Sequence, residues 1–224
     1  MFESIKLSDM PKLNCGILRQ FSNTRPAIWV IEEDGICAVV KDFSTSGFFF
    51  RNIIGRFLVW RECRAYRRLK GLKGIPAFLG SKEGLAVFME VIDGKDLDSL
   101  ESGLSLPENF FKNLEDLVDE IHKRGLVHCD LKRAPNIILG KDGNPYIVDW
   151  SAALSETEFK FFPLNLIYKR FITDDNNAII KLMFKFRPEA ITCEEKRQYL
   201  YRSWIERIIR SIRDTVRKFL QKIA

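Results

Sequence analysis

The stretch that decides the fold is HCDLKRAPNIIL, residues 128–139, followed closely by YIVDWS at residues 146–151. Asp130 and Asn136 lie in the first segment, and Asp149 ends an apolar strand in the second. The Lys-Asp-Gly-Asn turn between the segments predicts a hairpin, which would bring the two acids and the amide to one point. Such oxygen ligands suit Mg²⁺, and a carboxylate among them can accept a hydroxyl proton, so the pattern indicates phosphoryl transfer.

A second part of the same chemistry is predicted upstream. Lys41 ends an apolar strand, and Glu62 lies in a segment whose apolar residues recur every three or four positions, as in a helix. A strand lysine held by a helical glutamate is a common clamp on the α and β phosphates of a nucleotide. Arg61 and Arg64 offer Glu62 other partners, so the sequence leaves this pairing open.

The surrounding pattern predicts an α+β chain of two lobes. Apolar alternation and periodicity predict strands over residues 27–31, 36–40, 77–79 and 85–92, and a helix over 55–72. A turn-rich boundary near residue 92 separates a strand-rich N-lobe, 1–92, from a helical C-lobe, 93–224. In the C-lobe, capping-box spacing at Ser105 predicts a helix that ends near Lys123.

Composition limits the class of protein. With 46% hydrophobic and 29% charged residues, the chain is globular rather than disordered. Its five cysteines are scattered singly, which argues against a structural zinc site and against a disulfide framework. No stretch is long and apolar enough to span a bilayer, and the start does not resemble a signal peptide, so we expect a cytoplasmic protein.

The net charge of +6 comes from one segment. Residues 197–224 hold eight basic and two acidic residues, so the rest of the chain is neutral. Their apolar residues fall on one helical stripe with the arginines around the other side, which predicts a basic amphipathic helix. This helix either packs on the second lobe or binds an anionic membrane surface, where residues 48–54 could add a second contact. Nucleic acid is not an expected partner, since no interleaved aromatic platform is present.

Together these motifs resemble the protein-kinase-like superfamily and, within it, the minimal RIO-type kinases and the bacterial lipopolysaccharide-core (Kdo or heptose) kinases. The resemblance covers about residues 15–185 and implies ATP and Mg²⁺ in a cleft between two lobes. It also implies a role for each matched residue: Asp130 as catalytic base, Lys132 at the γ-phosphate, Asn136 and Asp149 as metal ligands, Lys41 with Glu62 at the phosphates, and Met89, Glu90 and Val91 as the adenine-binding hinge.

The chain also departs from the kinase pattern. Asn136 stands six residues after Asp130, one more than in the kinase catalytic loop, so the loop must bulge. No glycine-rich loop precedes Lys41, so Ser22, Thr24, Arg25 or backbone amides would have to hold the phosphates. Trp-Ser replaces the Phe-Gly that usually follows the metal-binding aspartate. No Ala-Pro-Glu motif follows, and 75 residues remain after Asp149, which indicates a pared-down kinase.

The sequence therefore predicts an ATP- and Mg²⁺-dependent kinase that works by positioning and charge stabilisation, without a covalent enzyme intermediate. The expected acceptor is a sugar hydroxyl of a lipopolysaccharide-type glycolipid at the inner face of the cytoplasmic membrane. Two alternatives remain open. One is a RIO-type protein serine/threonine kinase, which Lys132 favours, and the other is a non-catalytic kinase-fold adaptor that binds nucleotide.

Overall fold

The described part of the chain begins with an antiparallel sheet and continues into a mainly helical region. The computed structural model describes residues 2, 7, 10–20, 22, 25–33, 35–100 and 106–200. The chain divides into two compact units, residues 1–179 and 180–224. Every predicted site residue belongs to the first unit.

Five strands form the first sheet, with a short helix before them. The elements are α1 (Met10–Leu13), β1 (Asn14–Arg19), β2 (Ala27–Glu33), β3 (Ile36–Asp42), β4 (Phe78–Lys82) and β5 (Ala86–Glu90). The strand order is β1-β2-β3-β5-β4, with every neighbouring pair antiparallel. Alternate residues of β2, from Ala27 to Ile31, are buried on one face of the sheet, as its apolar alternation predicts. β1 was not predicted, because Ile17 and Leu18 are both exposed on this edge strand and break the alternation.

One helix packs against this sheet. A π-helical turn, Phe50–Gly55, leads directly into α2 (Arg56–Arg68). Its buried positions, which include Val59, Cys63 and Tyr66, recur at three- and four-residue spacing and form its inner face. α2 ends at Arg68, four residues earlier than predicted.

The later elements are two small sheets and three helices. They are β6 (Gly94–Asp96), α3 (Phe110–Lys123), β7 (Leu126–Val127), β8 (Ile137–Gly140), β9 (Pro145–Ile147), β10 (Leu154–Ser155), α4 (Leu164–Phe186) and α5 (Cys193–Leu200). β6, β8 and β9 form one sheet, and β10 pairs with β7. The predicted hairpin of β8 and β9 is present, with Ile137 opposite Ile147.

Some sequence predictions fall on residues outside this description. α3 begins at Phe110, whereas Ser105, the predicted cap, lies outside the described residues. The same holds for residues 201–224, so most of the predicted basic amphipathic helix is not described. The lobe boundary near residue 92 stays a prediction. Across the described ranges, no helix combines the length and the apolar character that a membrane span requires.

Candidate active site

An ion-pair triad joins β3, α2 and Asp149, the second residue after β9. Lys41 Nζ lies 2.9 Å from Glu62 Oε2 and 2.6 Å from Asp149 Oδ1, although Lys41 and Asp149 are 108 positions apart. Lys41 and Glu62 are buried, whereas 28% of the Asp149 side chain is exposed. The triad therefore opens to solvent at the aspartate.

The triad sets the charge of its members. Burial opposes the charge of Lys41, but Glu62 and Asp149 outweigh it and raise the pKa of the lysine. Burial raises the pKa of Glu62. For Asp149, burial acts in the same upward direction, but Lys41 and a 2.7 Å hydrogen bond from Ser151 Oγ outweigh it and hold the pKa of Asp149 well below its ordinary value. Asp149 is therefore an anion at neutral pH, as a metal ligand must be.

The lowered pKa of Asp149 predicts a loss of stability in acid. A carboxyl group with a lower pKa in the folded chain stabilises the fold above its unfolded value of about 3.9 and loses this contribution as the pH falls through the folded value. We expect the thermal midpoint of the wild type to fall more steeply below about pH 4.5 than that of Asp149→Asn. Asp116→Asn, at an exposed helical position, should follow the wild type. Equal slopes for all three proteins would contradict the prediction.

A tight turn absorbs the extra residue between Asp130 and Asn136. Residues Ala134–Asn136 form a 3₁₀ turn, in which the Asn136 amide donates to the Arg133 carbonyl at 2.9 Å. The Asn136 side chain still reaches the Asp130 carbonyl, with Nδ2 donating at 3.0 Å. The Val148 amide donates to the Asn136 carbonyl at 3.0 Å, which places Asn136 beside the strand end that carries Asp149.

Asp175 and His128 hold the backbone of this loop. Asp175, buried on α4, accepts hydrogen bonds from the amides of His128 at 2.7 Å and Cys129 at 2.9 Å. His128 Nδ1 accepts from the Asp130 amide at 3.2 Å, and its Nε2 donates to the Val148 carbonyl at 3.0 Å. The imidazole thus ties the Asp130 loop to the strand that leads into Asp149.

Sequence reasoning missed Asp175. Its partners are the amides of His128 and Cys129 and the His122 ring at 3.3 Å, which lie 46 to 53 positions away, so no local pattern connects them. The available signal was the position of this acid in α4, on the same helical face as the buried residues Tyr168, Ala178 and Ile179. A buried carboxylate needs hydrogen-bond donors, and such a position therefore predicts a structural partner elsewhere in the fold.

Arg61 and Arg64 take a partner other than Glu62. Both contact Glu158 at 3.0 Å, and Arg61 also donates to the Ala153 carbonyl at 3.0 Å. Glu62 therefore pairs with Lys41 and not with either arginine. The same contacts hold α2 against the segment that follows Asp149.

Asp149 has an unusual backbone conformation, and Trp150 beside it has an unusual identity for a kinase. Asp149 has φ of 65°, a left-handed conformation that non-glycine residues rarely adopt outside constrained sites. Trp150, where kinases have phenylalanine, is fully buried, and its ring lies edge-on to His128 with the centroids 4.7 Å apart. The larger ring therefore serves as core packing beneath the loop.

Arg19 reaches the site from the edge strand β1. Arg19 pairs with Ile28, and Ile28 pairs with Lys41, so these side chains share one face of the sheet. Ile17, by contrast, pairs with Trp29, whose side chain lies on the opposite face. A bulge between Ile17 and Arg19 therefore turns the arginine towards Lys41.

The Arg19 guanidinium is not satisfied by its surroundings. Its Nε is buried and has no hydrogen-bond partner in the described part of the chain. Burial lowers the pKa of Arg19, Asp149 acts to raise it, and Arg25 and Arg133 act to lower it, so the group lies within range of all three. Sequence reasoning missed Arg19 because a bulge moves a side chain to the other face of the sheet, and no residue pattern in β1 marks the bulge.

The predicted phosphate loop falls between β1 and β2. Of its residues, Ser22 and Arg25 exchange backbone hydrogen bonds of 3.1 and 3.2 Å. Thr24 lies outside the described residues. Lys132, two positions after Asp130, is exposed to solvent.

The predicted adenine hinge lies at the end of β5. Met89 is buried, and its sulfur lies 3.3 Å from the Tyr66 hydroxyl. Glu90 is the last residue of the strand, and its carboxylate accepts from the Ala77 amide at 2.9 Å. Val91 follows the strand and is half-buried. The structure thus places Met89 and Glu90 on the strand next to the one that carries Lys41, with Val91 directly after it.

The sheet, the helix that supplies Glu62 and the loop from Asp130 to Asp149 define a protein of the protein-kinase-like class. The RIO domain family model matches residues 48–163, just over half of the chain. The chain belongs to the RIO domain family, which confirms the predicted relation to RIO-type kinases. No curated protein matches it.

Among solved structures, the chain is similar to the Rio2 kinase from Chaetomium thermophilum in its ADP/Mg²⁺-phosphoaspartate complex. The TM-score is 0.58 at 16% identity, over 86% of this chain and 63% of that chain. The match shows the fold and confirms the predicted two-lobed, kinase-like α+β class. This chain spans less than two thirds of the Rio2 chain.

Proposed function

We propose that this protein transfers the γ-phosphate of ATP to a hydroxyl acceptor. The observation that carries the proposal is the contact of Lys41 with both Glu62 and Asp149. In kinases, a lysine and a glutamate in this relation hold the nucleotide phosphates beside a metal-binding aspartate. Membership of the RIO domain family, and similarity to a kinase whose complex contains ADP and Mg²⁺, support the same reaction.

Asp149 and Asn136 fit a magnesium site. Lys41 and Ser151 both contact Oδ1 of Asp149, which leaves Oδ2 for a cation. Nδ2 of Asn136 donates to the Asp130 carbonyl, so the amide oxygen is its remaining ligand atom. Mg²⁺ prefers such oxygen ligands, and when bound it offsets the negative charge of the phosphates.

In this proposal Asp130 orients the acceptor hydroxyl. Its amide donates to His128 and its carbonyl accepts from Asn136, so its backbone is held on both sides. Its side chain is 25% exposed and makes one long contact, 3.5 Å, with Arg133. The carboxylate is therefore able to accept the proton of a hydroxyl as a general base.

Arg19 belongs to the phosphate-binding group in this proposal, since its guanidinium lies on the Lys41 face with a buried donor unused. We expect Arg19→Ala to weaken the binding of ATP and ADP by about tenfold, and that of adenosine little, because charge-assisted hydrogen bonds to phosphate are lost. Isothermal titration of the three ligands measures the difference.

The matched control for Arg19 is Arg67→Ala, which removes an exposed arginine of α2 and should leave all three affinities unchanged. An equal loss for adenosine and ATP would mean that Arg19→Ala damages the sheet. Unchanged ATP affinity would remove Arg19 from the phosphate group.

For the acceptor, we propose a sugar hydroxyl of a lipopolysaccharide-type glycolipid, with the protein at the inner face of the cytoplasmic membrane. The basic charge of residues 197–224 supports this location. A protein serine or threonine hydroxyl is the second candidate, and the RIO domain match favours it.

Transfer from γ-labelled ATP tests the reaction and the acceptor together. Wild type and Asp149→Asn are incubated with Mg²⁺ and with separate glycolipid and protein fractions. Label on glycolipid supports the sugar acceptor, and label on protein supports the second candidate. A label on the enzyme that hydroxylamine removes would identify an aspartyl phosphate, against the expectation of no covalent intermediate.

The non-catalytic adaptor gives a different result in the same assay. It would bind Mg²⁺-ATP without turnover, and Asp130→Asn would leave that binding unaltered. Label in neither fraction, together with absent ATP binding, would contradict the proposed function.

A further inference from the structure

We infer that the outer face of residues 48–60 is a binding surface for an anionic lipid bilayer. Within this short segment, six large apolar side chains are exposed to solvent, with Phe48 at 77% and Phe49 at 67%. We call this set the apolar stripe: Phe48, Phe49, Ile53, Ile54, Phe57 and Trp60. Contiguous exposed apolar groups of this extent are uncommon on soluble proteins and mark interaction sites.

The stripe follows the period of the helix that carries it. Phe49, Ile53, Phe57 and Trp60 are separated by four, four and three positions, which places them along one side of the π-helical turn and α2. The other side is buried, with Gly55 so close to Phe43 that an added Cβ would lie 3.1 Å from the Phe43 side chain. The stripe is therefore held outwards by the packing of the opposite side.

The stripe carries positive charge and no negative charge. From residue 43 to residue 61 the chain contains Arg51, Arg56 and Arg61 and no aspartate or glutamate. The two acids that bound this segment, Asp42 and Glu62, are both buried. Arg51 and Arg56 donate to the backbone carbonyls of Ser44 and Glu83 rather than to carboxylate oxygens.

The arginines lie against the aromatic rings rather than away from them. The Arg51 guanidinium is 5.7 Å from the ring centroid of Phe48, and that of Arg64 is 5.5 Å from Trp60. Glu158 pairs with Arg61 and Arg64, so Arg51 marks the end of the stripe where the positive charge is strongest. Mixed aromatic and basic side chains of this kind bind at the boundary between headgroups and acyl chains.

A bilayer satisfies this surface better than a second copy of the chain. A twofold contact through the stripe would bury Arg51 and Arg56 against a second copy of residues 43–61, which contain no acid to offset them. Anionic headgroups offset the arginines, while phenylalanine and tryptophan rings enter the interfacial layer. The stripe also lies on one side of a helix, and a helix of this kind can lie along a lipid surface. The proposed bilayer contact thus lies on residues 48–60, distinct from the predicted helix over residues 197–224.

Co-sedimentation of the full chain with vesicles tests the surface without nucleotide, so its outcome is independent of the proposed kinase activity. The vesicles contain phosphatidylcholine alone or mixed with phosphatidylglycerol. We expect wild type to bind only the mixed vesicles, and more weakly at high salt. Phe49→Asp combined with Phe57→Asp should lower the partition coefficient by at least about tenfold. Arg51→Gln combined with Arg56→Gln should lower it by about tenfold at low salt.

Leu18→Asp is the matched control, since Leu18 is 65% exposed on β1 and lies outside the stripe. It should bind as the wild type does, and circular dichroism should show the same fold for all variants. A measurement that needs no disruptive change is the quenching of tryptophan emission by brominated phosphatidylglycerol. Trp60→Phe should remove the quenched part of the emission.

Several outcomes would overturn the inference. If the wild-type protein does not co-sediment with vesicles that contain phosphatidylglycerol, the surface does not bind an anionic bilayer. Binding that survives the Phe49 and Phe57 changes, with quenching unaffected by Trp60→Phe, places the lipid contact elsewhere, including residues 197–224. A wild-type dimer in analytical ultracentrifugation that the same changes dissociate, without any change in vesicle binding, makes a second copy the occupant.

Discussion

Asp149→Asn should lower the rate of phosphoryl transfer by about 100- to 1000-fold, the effect of removing one preorganised charge interaction from an active site. The change removes the anionic ligand of the proposed magnesium site and the negative charge that Lys41 contacts at 2.6 Å. We also expect ATP binding to lose its enhancement by Mg²⁺, because the amide of an asparagine binds the cation more weakly than a carboxylate. Single-turnover transfer from labelled ATP, and titration of ATP with and without Mg²⁺, measure the two effects.

The fold should survive this substitution at neutral pH. Asparagine keeps the shape of the side chain and an acceptor for Ser151, while Lys41 remains paired with Glu62. Asp116→Asn, on the exposed face of α3, is the control and should retain full activity. A variant with wild-type transfer would remove Asp149 from the metal site. A loss of activity matched by unfolding would mean that the triad is structural.

Asp175→Ala should lower the free energy of unfolding by about 2–5 kcal/mol, because it leaves the amides of His128 and Cys129 buried without their acceptor. Chemical denaturation measures this difference. The Asp130 loop depends on His128, so activity should fall as the loop loses its support. Asp175→Asn should lie between alanine and the wild type, since its amide oxygen can still accept from one of the two backbone amides.

The neighbouring Asp174→Ala is a sharp control for Asp175. Asp174 is exposed on the same helix and contacts Arg170 at 2.7 Å. Its loss should change the free energy of unfolding by only about 0.5 kcal/mol. Equal destabilisation by the two alanine variants would show that the helix, and not the buried carboxylate, supports the loop.

The local pattern determined the fold class, because kinase-like strands and helices follow from periodicity and turn chemistry over short ranges. The alternation in β2, the helical spacing around Glu62 and the turn between β8 and β9 each specify an element without distant contacts. The spacing of Asp130, Asn136 and Asp149 on these elements was sufficient to indicate the superfamily, and the RIO domain match confirms that relation.

Pairings between distant residues could not be obtained in this way. The sequence left Glu62 with Lys41, Arg61 and Arg64 as partners, and only the packing of α2 against the segment after Asp149 assigns the two arginines to Glu158. Asp175 was missed for a similar reason, since its hydrogen bonds to the Asp130 loop depend on how α4 packs against that loop.

Asp130, Asn136 and Asp149 are thus local features of the sequence, set by turns and strand ends. Their surroundings are not local. A bulge in β1 turns Arg19 towards Lys41, a 3₁₀ turn takes up the residue before Asn136, and α4 carries Asp175 beneath the loop. Periodicity reports which face of an element is buried, whereas contacts between elements depend on register, bulges and packing, which only the tertiary structure decides.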